Sequence, residues 1–198
     1  MKKFISIFTF FYFLSVVNLF SYNSDPKEFV GELVNDVITK LSDKSVSSEE
    51  KAKFIEKVAL EYVDISALGL YTLGEIRKSA EKNEIQRYQV SFEKYFLKSL
   101  TSRLNDYSSS SFEVLGADQK SSNYTIVNSK ITPKDGNPEI KIDWRVYTKN
   151  PEKPLIRDLI VEGLSLARTQ KEEFASILSS SNNDINYLIN KLDEFVTK

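Results

Sequence analysis

The sequence contains neither cysteine nor histidine among its 198 residues. Without cysteine, no disulfide can stabilise the fold, which must therefore depend on packing. Without histidine, the chain lacks the most common general base near neutral pH and a leading metal ligand. The sequence also contains no G-x-S-x-G motif and no cluster with metal-ligand spacing. We therefore predict no enzymatic activity, no cofactor and no bound metal.

A surplus of charge of one sign is also missing, because 27 Lys and Arg residues face 28 Asp and Glu residues. A chain without a basic surplus has no general electrostatic attraction to nucleic acid or to anionic lipid headgroups. Aromatic residues, in contrast, are plentiful, with 13 Phe and 10 Tyr but a single Trp. The composition predicts a packed aromatic core and no nucleic-acid partner.

One long apolar run occurs at the start of the chain, which reads MKKFISIFTFFYFLSVVNLFSYNSD. Two lysines precede the run, and small polar residues follow it from Ser21, as in a secretory signal peptide. A retained transmembrane anchor is the alternative, because the run is near the lower limit for a span. We predict that residues 1–21 are a signal peptide and that residues 22–198 form a single domain. Loss of the two lysines leaves 25 basic and 28 acidic residues, a net charge of −3.

Apolar residues recur three or four positions apart in the first half of the remaining chain, which predicts helices. Capping residues mark where these helices begin, because a side-chain oxygen can accept the free N–H groups of a first turn. The predicted helices begin after Asp25, after Ser47 or Ser48, after Asp64 and near Ile85, and the last one runs to about Tyr107. Its apolar stripe includes Phe92, Phe96 and Leu100.

The apolar period changes from helical spacing to two in the second half of the chain, which predicts strands. The clearest strand is PEIKIDWRVYT, in which Ile140, Ile142, Trp144 and Val146 share one face. Three further strands are predicted at 111–118, 124–131 and 155–162, followed by helices at about 164–178 and 184–196. The order predicts an α+β fold with a helical layer packed on one face of a twisted four-stranded antiparallel sheet.

The last predicted strand passes directly into a helix through the segment RDLIVEGLSLARTQKEEF. Gly163 permits a sharp bend where the strand leaves the sheet, and Ser165 is placed to cap the next helix. Asp158 is predicted to face water, on the opposite side of the strand from Arg157.

This joint resembles the MlaC family, also called the toluene-tolerance family, in which a strand ending in E-G-V-S runs into a helix with F-x-x-x-L. Two upstream segments, FIEKVALEYVDISALGLYTLG and YQVSFEKYFLKSLTSRLNDY, are similar to that family's helix pair and long helix. One departure is that Leu155 stands where the family often has Trp. The joint residues that fall on the family pattern are Asp158, Glu162, Gly163, Ser165, Phe174 and Leu178.

The resemblance implies a monomeric periplasmic carrier of the intermembrane phospholipid transport system, which maintains outer-membrane lipid asymmetry. Such a carrier would hold the two acyl chains of a phospholipid in an apolar cavity between the helices and the sheet. The partners that the resemblance implies are an inner-membrane lipid-binding ring with its ABC transporter and an outer-membrane lipoprotein–porin complex.

Two surfaces are predicted to face each other across the acyl chains, one on the longest helix and one on the last two strands. A non-catalytic structural or chaperone-like envelope protein with a solid core is one alternative, and a carboxylate-dependent hydrolase is another. The residues predicted to contact lipid are Phe92, Phe96, Leu100, Ile142, Trp144, Val146, Leu159 and Val161.

Overall fold

The structure, a computed structural model, describes residues 22–104, 111–133 and 136–198. Within these residues six α-helices and five strands form an α+β fold, which confirms the predicted class. The helices are α1 (Pro26–Ser42), α2 (Ser48–Tyr62), α3 (Ile65–Thr72), α4 (Lys82–Leu104), α5 (Leu166–Ser180) and α6 (Ile185–Thr197), with a turn of 3₁₀ helix at Gly74–Lys78. The strands are β1 (Ser111–Ser121), β2 (Tyr124–Thr132), β3 (Ile140–Tyr147), β4 (Leu155–Val161) and β5 (Leu164–Ser165).

Three sequence predictions fall wholly or partly outside the described residues. They are the signal peptide at 1–21, the last part of the long helix at 105–107, and the first residues of the turn KDGNP.

The predicted capping residues begin the helices as expected. The carboxylate of Asp25 accepts the backbone N–H groups of Lys27 and Glu28 ahead of α1. Ser47, not Ser48, caps α2 and forms a capping box in which the Glu50 side chain accepts the backbone N–H of Ser47. Such caps satisfy N–H groups that the helix itself leaves unpaired, which is why they fix where each helix begins. Asp64, Ser165 and Asp184 cap α3, α5 and α6 in the same way.

The sheet is an antiparallel meander with the strand order β1-β2-β3-β4-β5, so the predicted count of four strands was one too low. The fifth strand exists because Glu162 and Gly163 both adopt positive φ angles, of 49° and 83°. Two consecutive residues of this kind make a tight two-residue hairpin turn. Leu164 and Ser165 therefore fold back to pair with Val161 and Ile160 before α5 begins.

One face of the sheet packs against α1 and α2 in what we call the sheet cluster. The inward side chains of β3 alternate as predicted, with Ile142, Trp144 and Val146 buried. Asp143 and Arg145, which lie between them, are half-buried. The buried members of the sheet cluster are Phe29, Val30, Leu33, Val34, Val58, Tyr62, Val127, Ile131, Ile142, Trp144, Val146 and Ile156.

A second apolar cluster, the helix cluster, lies among α3, α4, α5 and α6. Tyr88 is fully buried there, and its hydroxyl lies 2.8 Å from the hydroxyl of Thr72. Burial raises the pKa of Tyr88 far above its usual value, so the hydroxyl stays protonated. The buried members of the helix cluster are Ile65, Leu73, Tyr88, Phe92, Phe174, Leu178, Ile185, Leu188, Ile189 and Leu192.

Candidate lipid-binding site

The strand residues predicted to contact lipid share one face of the sheet. Trp144 pairs across the ladder with Leu159, and Ile142 pairs with Val161. Ile142, Trp144 and Val146 are buried in the sheet cluster, whereas Leu159 and Val161 are half-buried and pack against it. The structure therefore brings all five predicted strand residues together.

Trp144 is held in place by a buried hydroxyl. Its indole Nε1 donates to Ser129 Oγ at 2.8 Å, and Ser129 Oγ donates to the carbonyl oxygen of Ile142 at 2.9 Å. This chain of bonds satisfies the polar atoms of both side chains without water. Phe112 of β1 meets the indole edge-to-face, with the ring centroids 6.2 Å apart. The arrangement presents the large indole as an apolar surface at a fixed position.

The helix residues predicted to contact lipid lie in α4. Phe92 is buried in the helix cluster, where it stacks on Phe96 at 6.2 Å and meets Phe174 edge-to-face. Phe96 is half-buried against the same cluster, and Leu100 is half-buried one turn further along the helix. Phe92 is thus enclosed by protein, while Phe96 and Leu100 retain exposed surface.

The strand set and the Phe92–Phe96 pair lie in different clusters. Val63, the first of the two residues between α2 and α3, is half-buried and packs against both clusters. We call this boundary between the sheet cluster and the helix cluster the seam. Leu159 and Val161 are partly buried members of the sheet cluster, whereas Phe96 and Leu97 are partly buried members of the helix cluster. Whether these residues contact lipid stays a prediction.

The part of the chain that the structure describes includes two well-formed surface depressions, and neither of these two is an enclosed apolar chamber. The larger has a volume of about 580 Å³ and is lined mainly by charged side chains of α2 together with Lys153. The smaller, of about 300 Å³, lies beside the N-termini of α4 and α6. Neither depression includes a residue that the sequence predicted to contact lipid. Neither depression is therefore a candidate for an acyl-chain cavity.

A polar contact joins α3 to β4 across the seam. The guanidinium of Arg157 donates to Asp64 Oδ2 through Nε at 2.8 Å, and Nη2 lies 2.7 Å from the same oxygen. The same guanidinium lies 3.3 Å from the ring centroid of Tyr147 on β3, a cation–π contact. The backbone N–H of Asp64 also donates to the carbonyl oxygen of Ile156 at 2.9 Å. These bonds tie the start of α3 to the edge of the sheet.

The part of the chain that the structure describes shows no group of three or more acidic side chains placed to hold a metal ion. Over the same residues, no helix combines the length and the apolar character that a membrane span requires.

Comparison with known protein families shows to which family the chain belongs. A sequence profile described as MlaC protein matches residues 31–194, which is most of the chain. The chain belongs to the MlaC family. Among curated protein sequences, none matches it.

The MlaC assignment agrees with a similarity in fold to a solved structure. A phospholipid-binding protein from Ralstonia solanacearum, solved in complex with a phospholipid, matches with a TM-score of 0.72. The match covers 88% of this chain and 97% of that one, at 18% sequence identity. At this identity the likeness establishes a shared fold.

Asp158, one of the residues on the MlaC pattern, does not face water as predicted but is 5% exposed. Its carboxylate accepts the hydroxyl of Ser165 at 2.6 Å and the backbone N–H of Ala167 at 3.0 Å, and lies 3.6 Å from Arg145. The prediction failed because the face on which Asp158 lies, opposite Leu159 and paired with Arg145, is covered there by the start of α5 and not by water. Asp158 therefore joins the sheet to the start of α5.

Sequence reasoning missed both polar contacts at β4. It identified Asp64 only as a helix cap and placed Arg157 only on the strand face opposite Asp158, because cap and strand patterns say nothing of their partners. The adjacent charges of Arg157 and Asp158 within an apolar strand were the available indication, since a charge there requires either water or hydrogen-bonding partners. Phe174 and Leu178, the other helix residues of the MlaC pattern, are buried in the helix cluster.

Proposed function

We propose that this MlaC-family chain is a phospholipid carrier that holds acyl chains between the sheet and the helices. The observation that carries the proposal is the family match over residues 31–194, on a fold shared with a protein solved in complex with a phospholipid. The function requires apolar surface and no catalytic group.

The seam is the place where acyl chains would enter. Separating two packed clusters exposes less core than dividing a single one, so the seam is where the fold opens at the lowest cost. Half-buried side chains on both sides of the seam have exposed apolar surface that acyl chains could contact, including Leu159, Val161 and Phe96. On this proposal the packed arrangement is the empty state, and lipid binding separates the helix cluster from the sheet cluster at the seam.

Transfer between apolar environments explains why a carrier of this kind works without an energy source of its own. Burying a methylene group contributes about 0.8 kcal/mol. Two chains of about 16 carbons then represent roughly 25 kcal/mol, too much for extraction into water. Passage from a bilayer into an equally apolar interior is close to neutral. The headgroup would remain in water at the mouth of the cavity.

The transport system implied by the family is part of the same proposal. The chain would act in the periplasm after removal of residues 1–21, as a monomer. It would collect phospholipid at one of two assemblies and release it at the other. These are an inner-membrane lipid-binding ring with its ABC transporter and an outer-membrane lipoprotein–porin complex, and their joint action would maintain outer-membrane lipid asymmetry.

Mass spectrometry of organic extracts from the natively purified protein tests the proposal. We expect co-purified phospholipid at close to one molecule per protein, with mixed headgroups. Lipid-free protein that also fails to take up phospholipid from vesicles would contradict it.

A second candidate is a non-catalytic structural or chaperone-like envelope protein with a solid core. The observation that favours it is the close packing of both clusters, since neither of the two surface depressions described above is an enclosed apolar chamber. This candidate predicts protein that carries no lipid and whose melting temperature does not change when phospholipid is added.

A further inference from the structure

The end of α3 exposes two apolar side chains next to each other. The short helix turns Ile65, Gly69 and Thr72 toward the protein, which leaves Leu70 and Tyr71 outside. Leu70 is 36% exposed and Tyr71 is 39% exposed. Scattered surface leucines are ordinary, but a leucine beside a tyrosine makes a small apolar ridge. The charges around this ridge indicate what kind of partner surface it can bind.

Two cations contact the ridge, and a third lies nearby through its pair with Glu75. Arg77 Nη1 donates to the carbonyl oxygen of Leu70 at 3.0 Å, and Lys171 Nζ lies 5.2 Å from the ring centroid of Tyr71. Lys78 Nζ pairs with Glu75 at 2.6 Å. Lys78, and after it Arg77 and Lys171, hold the pKa of Glu75 below its usual value. One carboxylate therefore faces three cations, and we call this surface the α3–α5 patch.

The patch is a local exception to the charge of the chain, which is −1 overall. Its three cations and one acid give it a local charge of +2, counted over Glu75, Arg77, Lys78 and Lys171. On the adjoining turn of α5, Arg168 and Glu172 are both exposed and cancel each other in charge. An acidic protein is repelled by an anionic surface unless it turns such a face toward it.

We propose that the α3–α5 patch docks transiently on the surface of an anionic phospholipid bilayer. Tyrosine beside leucine, with lysine and arginine around them, is the combination that settles at a membrane interface. The apolar body enters the headgroup region while the cations meet lipid phosphates. An acidic protein partner is the competing occupant, but a ridge of two side chains is small for a protein interface.

The docking goes beyond the proposed carrier function and does not depend on it, because it needs no bound lipid. For a carrier, it would lengthen each encounter with a membrane. With only three cations the binding is weak and sensitive to salt, so the protein would leave again quickly.

Vesicle co-sedimentation of the processed protein, purified from the exported fraction, tests the proposal. The probes are vesicles containing phosphatidylglycerol and vesicles of pure phosphatidylcholine. We expect binding to the anionic vesicles at low salt, none to phosphatidylcholine, and loss at about 0.5 M salt. Lys171→Gln and Lys78→Gln should each weaken binding roughly fivefold, and Leu70→Ser should weaken it as well.

The chain provides a matched control on α6. Lys191 lies 5.5 Å from the ring of Tyr187 and pairs with Glu194, so it reproduces the contacts of Lys171 and Lys78. Asp193 and Glu194 offset its charge there. Lys191→Gln should therefore leave vesicle binding unchanged, and all the variants should keep the melting temperature of the parent protein.

Three results would overturn the docking. The first is equal binding to both kinds of vesicle, and the second is an equal effect of Lys191→Gln and Lys171→Gln. The third is cross-linking from position 171 to an acidic protein in cells without any vesicle binding. Lipid content measured on the same samples separates this proposal from the carrier function. Variants that lose docking but keep their lipid affect the patch alone, whereas lipid-free protein that still docks contradicts the carrier function alone.

Discussion

Ser129 is the residue on which the position of the single tryptophan depends. Its hydroxyl is 1% exposed, accepts the indole N–H of Trp144 and donates to the carbonyl of Ile142. Ser129→Ala leaves the indole N–H buried without a partner, which costs about 1–3 kcal/mol. We expect a lower midpoint in denaturant unfolding followed by tryptophan fluorescence.

The control for this change is Ser176→Ala, because Ser176 is exposed on α5. The free energy of unfolding of this variant should lie within about 0.5 kcal/mol of that of the parent protein. Equal stability of the two variants would show that the buried hydrogen bonds contribute little.

A second prediction at the level of single residues concerns the buried charge of Asp158. Its carboxylate accepts hydrogen bonds from the Ser165 hydroxyl and the Ala167 N–H and forms an ion pair with Arg145. Asp158→Asn keeps the size but removes the charge, and a hydrogen bond to a charged group is worth about 1.5–3 kcal/mol. We expect a fall of about 2 kcal/mol in the free energy of unfolding, measured by denaturant titration.

Asp193→Asn, at an exposed acid of α6, is the matched change and should be close to neutral. A neutral Asp158→Asn would mean that Ser165 alone is sufficient to hold the start of α5.

At the level of elements, Arg157 connects α3 to the sheet. Its planar guanidinium binds Asp64 and stacks on Tyr147 at the same time, which a lysine cannot do. Arg157→Lys should destabilise the contact between α3 and β4 by only about 1 kcal/mol, since the ion pair is partly exposed to solvent. We expect faster hydrogen exchange at the amide of Asp64, which bonds to Ile156 of β4.

Arg168→Lys is the control, because Arg168 is exposed on α5. Exchange at Asp64 should not change in that variant. An increase confined to α5 and α6, with none at Asp64, would argue against a contact at this point.

The sequence carried most of the information needed to place the elements. Asp25, Ser47 and Asp64 marked helix starts because a cap is a local chemical requirement. Alternation along β3 identified the buried face because side chains of a strand point to opposite sides in turn. β5 was missed because two residues are too short for any periodic pattern, and the turn that creates it depends on the φ angles of Glu162 and Gly163.

The candidate site was less accessible to sequence reasoning. The grouping of Ile142, Trp144 and Val146 followed from alternation, and their pairing with β4 from the order of the strands. The placement of Phe92 in a separate cluster did not follow, because a helical stripe shows that a face is buried but not against what. The cover that the start of α5 places over Asp158 is a property of the tertiary fold, and it reversed the expected environment of that side chain.

For the molecule as a whole, we expect a larger side chain to affect stability less at a half-buried position than at a fully buried one. Leu100 and Val161 are half-buried, so Leu100→Trp and Val161→Trp should be tolerated by the empty protein while they exclude acyl chains. Val146 is fully buried in the sheet cluster, and Val146→Trp should cost about 1–3 kcal/mol through overpacking. Lipid content and melting temperature, measured together on delipidated and loaded protein, check both expectations.

Loss of lipid at a nearly normal melting temperature in the first two variants supports entry at the seam. If both variants retain a full complement of phospholipid, the chains lie elsewhere. If all three variants lose stability alike in a protein without lipid, the solid-core candidate is favoured.

The meander connectivity of the sheet also governs the order in which the chain folds. Each strand pairs with its neighbour in sequence, so the hairpins close short loops at little entropic cost. Helix α1 ends at Ser42 but packs against β1, which begins at Ser111, and that contact closes a much longer loop. Docking of α1 should therefore come late, and Phe29→Leu should speed unfolding while it leaves the folding rate nearly unchanged. A weakened variant will release this helix first and uncover the apolar face of a sheet that is still intact.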